Sequence, residues 1–475
     1  MSKIGVLLGN RSTFPTALCV EAREKVLDAL HRQNVEAVIL DEPGDGSGTV
    51  RGYADAKRSA DLFRKHADEI SGILVSLPNF GDERGVADAI QISNLNVPVL
   101  VHAFPDDAKE MGGKLRRDAF CGKVSLCNNL RQYGIRFSLT KNHTVAPDSA
   151  EFDSELNAFI TICRVVRSFN NVRFGQVGAR PAPFNTVRYS ETLLQNAGIT
   201  TETVDLSEVI GAADRLENGD TKVQELLKSI KSKMGTEHVQ EQLLVKMAKF
   251  GAVLHNLIEQ GGWKGTALQC WTSLQLNYGI MPCTIMSLLG DDLVPSACET
   301  DISGLVSMYA LTVATGQPSA ILDWNNNYNS EQDKCVLFHC SNIPSTMFAK
   351  KPDITYNEIL SKAVGEDISY GTLDGKMAAQ KSVTFCRVDT DPLEGQINAY
   401  VGRGELTDDT LDTFGGYGVI KVAGLQDLMR FICNNGFAHH VAVGYGDHVD
   451  ALTEVFSNYM GWQTHVHHHD GGQIS

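Results

Sequence analysis

Ile4-Gly-Val-Leu-Leu-Gly9, the stretch from Pro15 to Gln33, and Val35-Glu-Ala-Val-Ile-Leu40 decide the fold class of this 475-residue chain. The first run is strand-like, the second carries apolar residues at helical period, and the third is strand-like again. A strand, a crossover helix and a second strand in succession make a unit whose strands run parallel. Three more candidate strands follow, Ile73-Leu-Val75, Val97-Pro-Val-Leu-Val101 and Ile135-Arg-Phe-Ser138. Residues 1–170 are therefore expected to form a doubly wound, Rossmann-like α/β domain.

Working outward, Ser154 to Phe169 reads as a long helix leaving this unit, and Val172-Arg-Phe-Gly-Gln-Val177 opens a second α/β series. Gln240 to Gln260 is a long helical pattern and Thr266-Ala-Leu-Gln-Cys270 a buried strand, so residues 171–315 are expected to form a second Rossmann-like domain. Beyond about residue 315 the runs shorten: Ser319-Ala-Ile-Leu322, Cys335-Val-Leu-Phe338 and Ser382-Val-Thr-Phe-Cys386, with turn signals crowded between them. That pattern predicts a mainly β domain over 316–475.

Composition excludes several classes of function. Forty-two basic against fifty-seven acidic residues give a net charge of −15, which repels phosphate backbones, and no basic patch overrides it, so nucleic acid is not an expected partner. No segment approaches the roughly 18 to 20 uninterrupted apolar residues of a membrane span. The opening Met1-Ser-Lys-Ile-Gly-Val-Leu-Leu-Gly-Asn10 reads as a first strand more than a signal peptide. Eleven cysteines stand singly without a CxxC pair, which argues for a reducing compartment, the cytoplasm, and against a disulfide framework or zinc knuckle. Cys298 reads as a small buried hydrophobe rather than a nucleophile, since no activating base is specified beside it. The glycines around Gly178 lack the GxGxxG spacing of a dinucleotide site, so NAD is not invoked. The run His465 to His469 reads as a disordered or edge-strand tail without a role.

Ligands of doubly wound sheets bind at the carboxyl ends of strands, which directs attention to four places. Ala297-Cys-Glu299-Thr-Asp301 follows Leu293-Val-Pro, Asp323-Trp324 ends the Ala320-Ile-Leu run, His339-Cys-Ser-Asn342 ends Val336-Leu-Phe, and His439-His440 precedes Val441-Ala-Val. Taken singly, each has an ordinary explanation as a solvated loop carboxylate, a helix cap or a structural histidine. Together they interrupt apolar sequence, where an unpaired charge is costly to bury, and a divalent cation would compensate them. Two carboxylates with one or two neutral imidazoles suit Mn²⁺, Co²⁺ or Mg²⁺ better than a thiolate-loving metal. Such a centre can leave positions for two vicinal sugar oxygens, with the carboxylates placed as acid and base.

These residues resemble the L-fucose and L-arabinose isomerases, and more closely the broad set of fucose-isomerase-like proteins. Ser296-Ala-Cys-Glu299-Thr-Asp301 is similar to the family's A-C-E-x-D segment, and Ile321-Leu-Asp323-Trp to the strand that brings the second carboxylate. Leu337-Phe-His339-Cys-Ser-Asn-Ile-Pro344 resembles the F-H-C-x-N-x-P turn, and Phe437-Ala-His439-His440 the H-H segment near the end. The resemblance implies an aldose–ketose isomerase working through an enediol. In it Glu299 and Asp323 would be metal ligands and the acid/base pair, His440 the third ligand, and His339 a further ligand as in arabinose-type members. Asp323, where arabinose-type members have a glutamate, leans towards the fucose type.

The resemblance further implies three domains and a homo-hexamer in which the first domain of one subunit closes over the site of another. Arg11, Asn79 and Phe80 would then reach substrate, although Arg11 reads equally as a surface residue and Phe80 as a core one. Gln269 and Trp271 would line the sugar pocket, Trp271 being divided between pocket wall and core, and His439 would orient substrate or the neighbouring ligand. L-fucose-like, L-arabinose-like and sulfoquinovose substrates all stay open, with Arg11 and Arg180 available to an anionic group. The rival reading is a sugar-binding or regulatory protein that kept the fold without the chemistry.

Overall fold

The structure, a computed structural model, describes residues 3–41, 47–109, 111–112 and 114–467. These divide into two compact units, Met1–Arg167 with Ser457–Gly461, and Ser168–Phe456 with Trp462–Ser475.

In the first unit the opening stretch forms strand β1 (Lys3–Leu8), helix Ala17–Arg32 and strand β2 (Glu36–Val38). Strands β3 (Ile70–Leu77), β4 (Val99–Ala103) and β5 (Ser138–Leu139) complete a sheet of order β2-β1-β3-β4-β5. All four pairings are parallel, and the order reverses between β1 and β3 as in a doubly wound sheet. Side chains alternate between two cores. Ile4, Val6 and Leu8 enter one with Val26, Phe152 and Phe159, whereas Leu7 enters the other with Phe63, Val86 and Leu126. Each such side chain contributes about 1.5–3 kcal/mol on burial, and this two-sided demand is why the strands are continuously apolar rather than alternating. The strand expected at 135–138 is displaced: Ile135 and Phe137 pack half-buried against the core, and pairing begins only at Ser138.

A buried histidine marks this unit. His102 of β4 donates from Nε2 to the Val145 carbonyl at 2.7 Å, and its Nδ1 lies 2.8 Å from the Ser76 hydroxyl. Burial pushes its pKa down to about 4, so the folded chain holds a neutral ring while the unfolded chain takes up a proton near pH 6.5. Because the unfolded state then binds more protons, stability is whole above pH 6.5 and is lost as pH falls towards 4, by about 3 kcal/mol in full. Urea midpoints at pH 7 and pH 4.5 should therefore differ more in the parent chain than in His102→Gln, and equal slopes would discard the assignment.

The second unit holds a four-stranded parallel sheet of order β7-β6-β8-β9, built from β6 (Val172–Val177), β7 (Ile199–Val204), β8 (Thr266–Leu268) and β9 (Ser296–Ala297). Its remaining strands are β10 (Ser319–Asn327), β11 (Lys334–His339), β12 (Asp353–Tyr356), β13 (Tyr370–Lys376), β14 (Gln380–Asp391), β15 (Gln396–Leu406), β16 (Gly416–Lys421), β17 (His440–Tyr445) and β18 (Gln463–His467). They run in the order β12-β13-β16-β11-β10-β17-β14-β15-β18, and β15 also pairs with β16. That pairing closes β16, β11, β10, β17, β14 and β15 into a barrel, which leaves those strands no free edge. Of the histidine-rich tail, His465 and His467 lie on β18 with Val466 between them, whereas His468 and His469 lie outside the described residues.

Residues on both sides of position 315 share one hydrophobic core: Val177, Leu268 and Leu289 pack in the same cluster as Leu322, Phe385, Ile420 and Val441. The helix Ile302–Thr315 joins the two parts. It is apolar all round and buried along nearly its whole length, as a helix must be when it has no solvent face. Asp301 caps its start, accepting from the Gly304 N–H at 2.8 Å, and Gly316 ends it with φ +67°.

Candidate metal centre

One short connection and three barrel strands converge on one point. Glu299 lies just beyond β9, and both Glu299 and Thr300 adopt left-handed backbone, with φ of +55° and +56°. Two consecutive non-glycine residues in that region are strained, and the surrounding structure must hold them there. The hold is visible on either side. Thr300 N–H donates to the Leu268 carbonyl at the end of β8, and Asp301 is fixed as the helix cap. The Asn342 side chain donates to the Ser296 carbonyl at 2.6 Å, tying the turn after β11 to the strand that precedes Glu299.

The other carboxylate comes from the barrel. Asp323 and His440 are direct partners in the antiparallel register of β10 and β17, so their side chains share a face. Asp323 therefore sits inside its strand, not at the end of one as the sequence suggested, because β10 continues through Asn327. Asp323, His339 and His440 belong to antiparallel barrel strands, not to the ends of strands in a doubly wound sheet, where the sequence places them.

Around this point the distances are short. His440 Nε2 lies 3.7 Å from Glu299 Oε2 and 3.4 Å from Asp323 Oδ1. His339 Nε2 lies 3.8 Å from the same Glu299 oxygen, and His439 Nε2 lies 3.3 Å from the same Asp323 oxygen. Glu299, His339 and His440 are buried, and Asp323 and His439 are half-buried. Glu299 Oε2 and Asp323 Oδ1 are enclosed yet accept no hydrogen bond. Ligand atoms around a cation with bonds of about 2.1 Å stand about 3 Å apart. The donors fall into two groups that share His440, Glu299 with His339 and His440 and Asp323 with His439 and His440, the ligand atoms of each lying within 4.8 Å of one another. Two enclosed oxygens without donors are what a hard divalent ion would satisfy.

The supporting contacts explain the orientation of each ligand candidate. Trp271 Nε1 donates to Glu299 Oε1 at 3.0 Å and Cys270 Sγ approaches the same oxygen at 3.3 Å, leaving Oε2 to face the imidazoles. His440 Nδ1 lies 2.8 Å from Asp301 Oδ2. A carboxylate can only accept, so the proton sits on Nδ1 and the Nε2 lone pair points into the centre. Asp301 is in turn held by Arg387, which also donates to Asp389 at 2.6 Å and 2.8 Å, and Asp389 accepts from the Ala438 N–H at 2.9 Å. Asp301 belonged to the quoted motif without a role, and Arg387 and Asp389 stand outside every motif the sequence offers.

Burial pushes the Glu299 carboxyl up, against the pull of His339 and His440. For Asp301 burial acts the same way, but Arg387 and His440 outweigh it and hold the group well below the usual carboxylate range. Burial opposes the charged form of His339, yet Cys340, Asp323 and Glu299 lift it to about 10. The centre carries an excess of negative charge, which a proton on His339 offsets and a divalent cation would offset in its place. His439 is driven the other way, to about 4, by burial and by its neighbour His440.

Trp271 is half-buried beside Glu299 with its ring against Phe184, 5.6 Å between centroids, and Phe184 meets His439 at 5.4 Å. Those rings form one wall of the centre. Gln269 accepts from the Ala179 N–H at 2.9 Å. In the first unit Arg11, Asn79 and Phe80 gather with one another: the guanidinium lies 4.2 Å over the Phe80 ring, Arg11 Nε donates to the Gly81 carbonyl at 3.0 Å, and the Arg11 N–H donates to Asn79 Oδ1 at 3.2 Å. Glu83 pairs with the same guanidinium.

Comparison with known proteins gives the family. Residues 5–170 match the N-terminal domain of fucose/sulfoquinovose isomerases, and residues 337–468 match the C-terminal domain of L-fucose isomerase. Sulfoquinovose isomerases of Priestia aryabhattai and Priestia megaterium are each 23% identical over 448 residues, covering 94% of this chain and 95% of theirs. A sulfoquinovose isomerase of a Clostridium species is 23% identical over 347 residues, 72% of this chain and 74% of its own. The chain belongs to the fucose/sulfoquinovose isomerase family, and it is an isomerase. Among the described residues no helix is long and apolar enough to cross a membrane.

Proposed function

We propose that this chain interconverts an aldose and its ketose by moving a proton between C1 and C2 through an enediol, with a divalent metal ion, Mn²⁺ or alternatively Co²⁺ or Mg²⁺, held by Glu299, Asp323 and His440. The observation that carries the reading is the pair of enclosed carboxylate oxygens, Glu299 Oε2 and Asp323 Oδ1, which lack donors and meet at one imidazole nitrogen. His339 is a further ligand from the Glu299 side. When bound, the ion supplies Lewis acidity at the sugar's carbonyl and adjacent hydroxyl, which makes the C2 proton removable.

The chain's own groups do the rest. One carboxylate takes the proton from C2 and delivers it to C1, and the other carries the hydroxyl proton. Trp271 keeps Glu299 from rotating away, Asp301 fixes His440, and His439 with Phe184 positions the sugar. Arg11, Asn79 and Phe80, already assembled with one another, serve the site of a neighbouring copy in a hexamer. Sulfoquinovose is the first substrate to test, because the relatives carry that name.

Chelation of the purified protein should abolish ketose formation and Mn²⁺ should restore it, with sulfoquinovose, L-fucose and L-arabinose offered in parallel. Full activity in protein shown by elemental analysis to be metal-free would end this reading. No turnover of any aldose by metal-loaded protein would point to a binding protein instead.

A further inference from the structure

The cysteines that stand singly in the sequence do not stand singly in space. Cys270 follows β8, Cys283 begins the helix Cys283–Asp291, Cys298 follows β9 and Cys340 follows β11. These four segments bring their thiols together directly behind the candidate centre. The Sγ atoms of Cys283, Cys298 and Cys340 all lie within 4.8 Å of one another, and those of Cys270 and Cys298 lie within the same distance of each other and of a Glu299 oxygen. Cys283 and Cys298 are fully buried and Cys340 is half-buried, its Sγ 3.6 Å from His339 Nδ1.

Isolated buried cysteines serve as small hydrophobes, but that role does not call for three thiols converging on one point. Three sulfurs around a tetrahedral metal with bonds of about 2.3 Å stand about 3.8 Å apart, a spacing within the observed limit. Sulfur donors prefer soft cations, whereas the oxygen and imidazole set in front of them prefers hard ones.

We propose that Cys283, Cys298 and Cys340, with Cys270 in reserve beside Cys298, form a second metal site that takes a thiophilic cation such as Zn²⁺, Cd²⁺ or Cu⁺. On binding, each engaged thiol releases its proton to solvent as the sulfur–metal bond forms, and no group is oxidised or reduced. The inference stands apart from the isomerase reading, because it needs neither the hard ion nor a sugar.

The test is titration of chelator-treated full-length protein with Cd²⁺, following the ultraviolet thiolate-to-cadmium charge-transfer band. We expect the band to saturate at one equivalent per chain and to persist with saturating Mn²⁺ present. Cys340→Ser should weaken binding by at least about tenfold, while Cys127→Ser and Cys433→Ser, whose residues lie elsewhere, should not change it. X-ray absorption at the cadmium edge keeps the question open to refutation even where buried variants fail to fold. Three or more sulfur neighbours in the parent protein, with one fewer in Cys340→Ser, support the site. Only oxygen and nitrogen neighbours, or a band that survives Cys340→Ser and disappears in Cys433→Ser, would overturn it.

Discussion

Glu299→Gln should abolish turnover and leave the fold intact. The replacement keeps the shape of the side chain, and its amide oxygen can still accept from Trp271 Nε1 as Oε1 does at 3.0 Å. The amide nitrogen then faces His339 and His440 where Oε2 stood, removing both an anionic ligand and a proton acceptor in one substitution. A positioned acid or base is worth about 10²–10⁴ in rate, and a lost metal ligand adds to that, so kcat should fall by about a thousandfold or more. Thermal stability should be unchanged or raised, because the exchange removes a buried carboxylate that burial already disfavours. Retention of a tenth of the parent kcat at saturating Mn²⁺ would remove Glu299 from the chemistry.

The second large effect falls on stability. Arg387 is fully buried and lies between Asp301 and Asp389, with Asp301 also capping the helix Ile302–Thr315 and holding His440. Burial works against its charge, but the two aspartates more than compensate and raise its pKa. Arg387→Met leaves those carboxylates enclosed without a cation, a loss of about 3–5 kcal/mol where one partner of a buried ion pair is removed. Chemical denaturation should show a loss of that size, and Mn²⁺ affinity should fall with it as Asp301, which orients His440, loses the guanidinium that holds it in place. Adding Asp389→Asn should return part of the stability by removing one unpaired charge. A variant as stable as the parent would mean that the aspartates find other partners.

The candidate site was partly legible in the sequence, and the legible part follows from one physical rule. Glu299, Asp323, His339 and His440 stand out because they interrupt apolar runs, and the structure gathers them. The same rule applied to Val383-Thr-Phe-Cys-Arg-Val388 singles out Arg387, a charge inside a buried strand. A search confined to strand ends misses it, and for the same reason places Asp323 at a terminus rather than in mid-strand. For the fold, β1, the first helix and β2 were readable because two-sided burial forces continuous apolar strands. β5 was misplaced because Ile135 and Phe137 are apolar for contact with a core rather than for pairing. Barrel closure depends on two pairs at the ends of the consecutive strands β15 and β16, Glu405 with Lys421 and Leu406 with Ile420, a contact too brief to leave a pattern of its own. The meeting of cysteines from four separate segments was hidden for another reason, since no local pattern announces partners far apart along the chain.

That closure also bears on what happens when the centre is emptied. Asp323 and His440 are held by register within a ring of strands, and each neighbours another strand whether or not a cation is present. Removing the ion should therefore leave a cavity of the same shape, ready to be refilled, and exchanging one hard ion for another becomes a matter of availability in the surrounding solution rather than of refolding.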